Sequence, residues 1–244
     1  MLALDYLNQL RALLDRIETT QLQKIDQAAE MIADSLANGG SFLIHDSGHM
    51  LNSELIHRAG GLMALRAFTF GLSINAAVPA ATARKVEPLD QRDDYFDLII
   101  DASPLKAGDV LIIGSVSGRN PAQVGLALAA RRRGIKLIAI TSLSYSQSVT
   151  SRHHSGQRLF EVVDIAIDNC GVLGDACVAV EGLPVKALPT SGIGAATVAW
   201  LICAQVIERL LARGIRPHVY KSVNTDDGAD FNARETEDFE KTGI

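Results

Sequence analysis

Between Asp109 and Ser142 the chain reads DVLIIGSVSGRNPAQVGLALAARRRGIKLIAITS, with Ser115, Ser117 and Asn120 clustered at the end of an apolar run. Three side-chain donors, joined by the backbone N–H groups of Ser117, Gly118 and Arg119 where a strand gives way to a helix, suit an oxyanion. The unpaired N–H groups and partial positive charge of a helix N-terminus stabilise a phosphate with no dedicated lysine. A plain turn with a helix cap needs one Ser or Asn, and this loop offers three.

The elements that must position this loop follow from periodicity. Apolar residues at Leu7, Leu10, Leu14, Ile17, Leu22, Ile25, Ala29, Ile32 and Leu36 predict a long amphipathic helix from Ala3 to about Leu36, or a pair broken near Thr19 and Thr20, ended by Gly39 and Gly40. Such a helix must bury its stripe, on the chain's own sheet or on a partner subunit. Strands are expected at Ser41 to His45, within Arg66 to Phe70, at Val110 to Gly114, at Lys136 to Thr141 and at Asp164 to Asp168. Helices are expected after His49 through about Ala59, from Asp93 to Ala102, after Asn120, and from about Gly194 to Arg213. Short strands rich in Ile, Leu and Val alternating with helices predict a parallel sheet covered on both faces, a three-layer α/β/α domain. Ligands on such sheets sit beyond the carboxyl ends of the strands, so the loops after His45, Gly114 and Ile140 should converge. Residues 1–216 read as one domain with a helical extension at the N-terminus. Residues 217–244 read as a tail whose Asp, Asn, Gly and Thr content favours solvation, the other reading being a loop that completes the site.

With 244 residues, 48% of them hydrophobic, the chain can bury a full core. A net charge of −5, with Arg131, Arg132 and Arg133 as its basic run, leaves no footprint for nucleic acid. Cys170, Cys177 and Cys203 lack CxxC spacing and leave one unpaired, which argues against a disulfide framework and a zinc ribbon and suits a reducing cytoplasm. The N-terminus lacks the pattern of a signal peptide, and no stretch reads as the ~20 apolar residues of a membrane span.

The strand, the S-x-S-G-x-N loop, the helix and GIKLIAITS together resemble the sugar isomerase (SIS) domain, over about Leu4 to Gly214. Within it the chain is similar to the UPF0309 group through SGRNP (Ser117 to Pro121), AITSLSYS (Ala139 to Ser146), SRHHSG (Ser151 to Gly156), GDA (Gly174 to Ala176) and SVNTDDGADFN (Ser222 to Asn232). The resemblance implies a flavodoxin-like five-stranded fold and a phosphorylated sugar as ligand. Its phosphate would be held by Ser47 and Gly48 from the first loop and by Ser115, Ser117, Gly118 and Asn120 from the second. It also implies a homo-oligomer, dimer or tetramer, with the site near the subunit interface, and no cofactor. Members of the group are labelled phosphoheptose isomerases on fold similarity, and fold does not fix chemistry.

The chain departs from the family pattern at the reacting end. Single-domain isomerases of this kind often carry a Glu one turn into the last helix, whereas here Pro189, Thr190 and Ser191 lead into Ile193, Gly194, Ala195 and Ala196. The zinc-dependent members place His and Glu on the helix after the first loop, and Gln and His eight apart on the last. Glu54 and His57 are present, with His45 and His49 nearby, as is Gln205, but Arg213 stands where the second imidazole belongs. No metal set is therefore carried over, and Glu54 with His57 reads first as a surface ion pair.

The remaining proton carriers are Glu87, His57 and His153, the last beside Arg152 and His154. Asp175, Asn224 and Asp227, with Asp226 beside them, are candidates for sugar hydroxyls, although Asp175 in a Gly-flanked turn also suits a purely local role. The activity expected is aldose–ketose isomerisation of a sugar phosphate through an enediol. A phosphosugar lyase or etherase, or a non-catalytic sugar-phosphate sensor acting on a protein partner, are the alternatives.

Overall fold

A computed structural model describes residues 1–46, 51–74, 78–79 and 81–244. Strands β1 (Phe42–Asp46), β2 (Leu65–Ala67), β3 (Val110–Gly114), β4 (Lys136–Thr141) and β5 (Ile165–Asp168) form one sheet in the order β2-β1-β3-β4-β5. Every neighbouring pair is parallel. Side chains alternate across the pleat. Phe42, Ile44, Val110, Ile112, Ile138, Ile140 and Ile167 meet α1 (Leu2–Ala37) and α7 (Ser191–Ala212) on one face. Leu111, Ile113, Leu137 and Ala139 meet α3 (Asp93–Asp101), α4 (Pro121–Arg132) and α6 (Leu159–Val162) on the other. A six-residue helix, α5 (Leu143–Ser148), follows β4 directly. The three-layer, five-stranded fold expected from the sequence is the one observed.

The leading helix is continuous. Thr19 and Thr20 do not break it, because their hydroxyls donate back to the carbonyls of Asp15 and Arg16 at 2.7 and 2.6 Å. Helix α7 is long and apolar enough, by length and composition, to cross a membrane, contrary to the sequence reading. Its Ala195, Val198, Ile202, Val206 and Leu210 are nevertheless buried in the core that α1 shares. The start of α7 presses on the chain beyond β5: a Cβ at Gly194 would lie 2.2 Å from the Asn169 carbonyl oxygen, so only glycine fits there.

Three departures from the sequence reading matter for the site. The helix expected to reach Ala59 is a single turn, α2 (Asn52–Leu55), with extended Ile56 and left-handed His57 after it. Pairing with the C-terminal segment outcompetes the helix there: Gly60 N–H donates to Tyr220 O, Tyr220 N–H to Gly61 O, and Leu62 bridges Val219. A hairpin of β6 (Ala176–Val178) and β7 (Ala187–Pro189), antiparallel, had no counterpart in the reading. Finally, the tail is not a solvated run, since it folds into α8 (Gly228–Thr242) and buries Phe239. It is fastened by Arg66–Glu240 at 3.0 Å and by His218–Glu235 at 2.6 Å.

Candidate functional site

The sheet register brings the strand ends together, with Asp46 opposite Gly114, Gly114 opposite Ile140 and Thr141 opposite Asp168. The loop that leaves β3 is held from several sides. Ser115 N–H donates to Ile140 O at 3.1 Å, and Val116 O accepts from both Ser142 N–H and the Thr141 hydroxyl at 3.0 Å. Gly118 O accepts from Leu159 N–H at 2.8 Å, and Arg119 O accepts from Arg152 N–H at 2.9 Å. Gly118 has φ 57°, and a Cβ there would lie 2.8 Å from Ser146 Oγ, so glycine is required for both conformation and space.

The loop ends at an open helix start. Asn120 is the N-cap residue of α4 but makes no side-chain capping bond, and Pro121 contributes no N–H. The first-turn N–H groups of α4 therefore receive no bond from the Asn120 side chain, an arrangement that suits an anion. Arg119 adds a guanidinium whose terminal nitrogen donates to Thr150 at 3.3 Å, while its Nε is buried with no partner among the described residues. Ser115 is 2% exposed, and Ser117 and Asn120 are half-buried. Ser47, Gly48 and His49 lie outside the described residues. Asp46 accepts from Leu51 N–H at 2.7 Å across that segment.

The other candidates fall into separate places. His57 is exposed and meets the Tyr220 ring edge-on at 5.3 Å between centroids. It lines a cavity of about 450 Å³ with Arg58, Tyr220, Lys221, Asn224 and Asn232, so His57 and Asn224 are brought together. Glu54 does not share a helical face with His57, because α2 ends at Leu55; its closest cation is Arg58 at 3.5 Å. Asp227 receives two bonds from Lys221 Nζ, at 2.6 and 2.7 Å. Glu87 is exposed in a stretch without helix or strand, and its charge is felt by Arg92. Asp175 accepts from Thr190 N–H, Ser191 N–H and the Ser191 hydroxyl, and so caps the N-terminus of α7.

The histidines differ in setting. His45 lies on β1, where its Nδ1 contacts Phe68 O at 2.9 Å and its ring stacks on Phe70; burial pushes its imidazole below the ordinary value. His153 is buried, lies against the His154 ring at a 33° tilt with centroids 4.1 Å apart, and faces Asp93 at the start of α3. Its imidazole is also pushed down, first by burial and then by the charge of His154. Asp93 escaped the sequence reading, and the signal that could have exposed it, a 3-10 turn at Leu89–Gln91 that places α3 against the SRHHSG loop, is purely tertiary. The three cysteines are buried and free. Burial raises each thiol, Cys203 to about 12, which makes all of them poor nucleophiles.

Comparison with known proteins places these features in context. Residues 5–142 match the family model described as SIS domain. A UPF0309 protein of Shouchella clausii is 36% identical over 85% of this chain and 84% of its own length. Another, of Halalkalibacterium halodurans, is 34% identical over 97% of this chain and 94% of its own length. Among solved structures, a phosphoheptose isomerase from Neisseria gonorrhoeae shares the fold with TM-score 0.52 and 18% identity, covering 85% of this chain and 96% of that one. One from Francisella tularensis gives TM-score 0.50 and 16% identity, covering 84% and 95%.

Proposed function

The chain belongs to the SIS-domain family, and from that premise we propose that it binds a phosphorylated sugar and interconverts its aldose and ketose forms. The observation that carries this reading is the loop from Ser115 to Asn120, fixed on three sides and opening onto an uncapped helix start. Ser115, Ser117 and Asn120 donate to the phosphate, with the N–H groups of Gly118 and Arg119, and Ser47 and Gly48 complete the cradle from the first loop. Anchoring the phosphate supplies binding energy remote from the reacting carbons and holds the open-chain sugar in one orientation.

We assign the proton transfer to His57, which lines a polar cavity of sugar size together with Asn224. The imidazole takes the proton from C2 of the aldose to leave an enediolate on O1, the hydroxyl proton of O2 passes to O1, and the imidazolium returns its proton to C1 as the C2 carbonyl of the ketose forms. Asn224 donates to or accepts from a sugar hydroxyl as the substrate is held. Neither His153 nor Glu87 is among the residues that line this cavity. A homo-oligomer is part of the proposal, since Leu4, Leu7 and Leu14 on one side of α1 remain 42–52% exposed and form a stripe that a second copy would cover. Three unpaired cysteines suit the reducing cytoplasm as its setting.

The test is a thermal-shift screen against pentose, hexose, heptose and amino-sugar phosphates and their unphosphorylated counterparts, followed by turnover of any stabilising ligand watched by NMR. Ser115→Ala and Ser117→Ala should each weaken phosphosugar binding by about 1–3 kcal/mol with the fold intact. His57→Ala should keep the binding and lower kcat by roughly 10²–10⁴-fold. Unchanged affinity in both serine variants refutes the phosphate loop. Binding without turnover in the wild type refutes the isomerase and favours the sensor.

A further inference from the structure

Asp93, on the first turn of α3, meets His153 and His154 of the loop between α5 and α6, and one ligand atom from each lies within 4.8 Å of the other two. We propose that these three residues bind a divalent transition-metal ion, Zn²⁺ by the chemistry of the donors. Two imidazoles and a carboxylate are a borderline nitrogen and oxygen set that suits zinc rather than calcium or magnesium.

The Asp93 carboxylate stands between the two imidazoles with one oxygen toward each: His153 Nε2 is 3.5 Å from Oδ1, and His154 Nε2 is 3.3 Å from Oδ2. A tetrahedral zinc with ligands at roughly 2.0–2.2 Å separates them from one another by roughly 3.3–3.6 Å. The His153 side chain is 1% exposed, and its Nε2 and Asp93 Oδ1, both buried, face each other at 3.5 Å as a long ion pair, with no shorter hydrogen bond to either atom among the described residues. A long contact between two buried polar atoms leaves both under-satisfied and open to a ligand that joins them.

His153 Nδ1 lies 2.8 Å from Ser155 Oγ and accepts from Ser155 N–H at 3.2 Å, so without metal Nε2 carries the proton toward Asp93, and it is this proton that a bound ion would displace.

The surroundings hold the ligands in place. Gln91 Nε2 donates to Arg152 O at 3.2 Å, and Arg152 N–H donates to Arg119 O, so the metal loop is tied both to the start of α3 and to the loop after β3. Asp93 and His154 are 45% and 52% exposed, which leaves the outer side of the ion open to water or to a substrate oxygen. The site is therefore of the open, three-ligand kind.

The experiment is metal analysis of the full-length protein after equilibration with micromolar Zn²⁺ and gel filtration, with affinity measured by chelator competition. The wild type should retain about one zinc per chain. Asp93→Asn and His154→Ala, both on the exposed side and expected to fold as judged by circular dichroism, should each weaken binding by more than about 100-fold, because even outer-shell changes cost about 10–100-fold. Zinc-edge X-ray absorption of the loaded wild type should show two imidazoles and oxygen neighbours without sulfur. Failure of the wild type to retain zinc, retention unaffected by both substitutions, or a sulfur-containing shell would each overturn the assignment. None of these readouts depends on phosphosugar binding.

Discussion

Gly118 is the position where the loop after β3 is most exposed to a single added methyl group. Gly118→Ala places a Cβ 2.8 Å from Ser146 Oγ and at 3.4 Å from Leu159 Cβ and Thr141 Oγ1, in a residue held at φ 57°. The left-handed conformation costs a non-glycine residue about 1–2 kcal/mol, and overpacking a filled site costs about 1–3 kcal/mol. The variant should therefore lose roughly 2–5 kcal/mol by urea denaturation, the sum of those two ranges. Because the next neighbours stand at ordinary van der Waals distance, the steric part belongs to Ser146 Oγ alone. That oxygen is buried without a hydrogen bond, so Ser146→Ala by itself should be neutral or slightly stabilising. In the double variant Gly118→Ala/Ser146→Ala the overpacking part should vanish, leaving about 1–2 kcal/mol. A double-mutant cycle then reads a coupling of about 1–3 kcal/mol. Additive losses would refute the reasoning, since they would mean that Ser146 does not set the limit on this loop.

Other expectations follow from the same geometry. Asp175→Ala removes all three acceptor bonds at the start of α7 and should cost about 1–2 kcal/mol, with Asp175→Asn milder, both read by urea denaturation. Cys203, its thiol pushed up to about 12 by burial, should resist a thiol-specific reagent at pH 8 in the native protein and react once unfolded; native-state labelling would show the core around α7 to be open. Glu235 is held below its ordinary 4.5 by its bond from Arg216 and then by His218. A depressed carboxyl contributes its full stability above the unfolded value and loses it as pH falls through the lower folded one. The protection factors of the α8 amides, exchange rates taken relative to the intrinsic rate at each pH, should therefore fall as pH drops below the ordinary carboxylate range. Glu235→Gln should abolish that acid step, and an unchanged step in the variant would place the titrating group elsewhere.

How legible the molecule was in its sequence depended on the range of the interactions. The central strands β3 and β4 lay where expected to the residue, because buried parallel strands are continuous apolar runs flanked by turn residues. Helix α2 was overextended because the pattern from Asn52 to Ala59 is helical locally, while the competitor is backbone pairing with Tyr220 and Val219, far along the chain. The tail failed for a related reason. Its composition is that of a solvated segment, and what orders it is a few specific contacts: Phe239 in the core, Glu235 on Arg216 and His218, and Glu240 on Arg66.

The same division runs through the candidate residues. Ser115, Ser117, Gly118 and Asn120 announce themselves because strand, loop and helix are consecutive, so the chemistry and the scaffold share one stretch of chain. Asp93 does not, since it reads only as an acidic residue in the first turn of a helix, and its meeting with His153 and His154 needs α3 and the loop before α6 to be packed against α4 and the loop after β3. The His-His pair was visible as chemistry without a partner. A candidate site drawn from one segment can be proposed from the sequence, whereas one drawn from two requires the fold first, and the buried His153 Nε2 facing Asp93 marks a candidate of the second class.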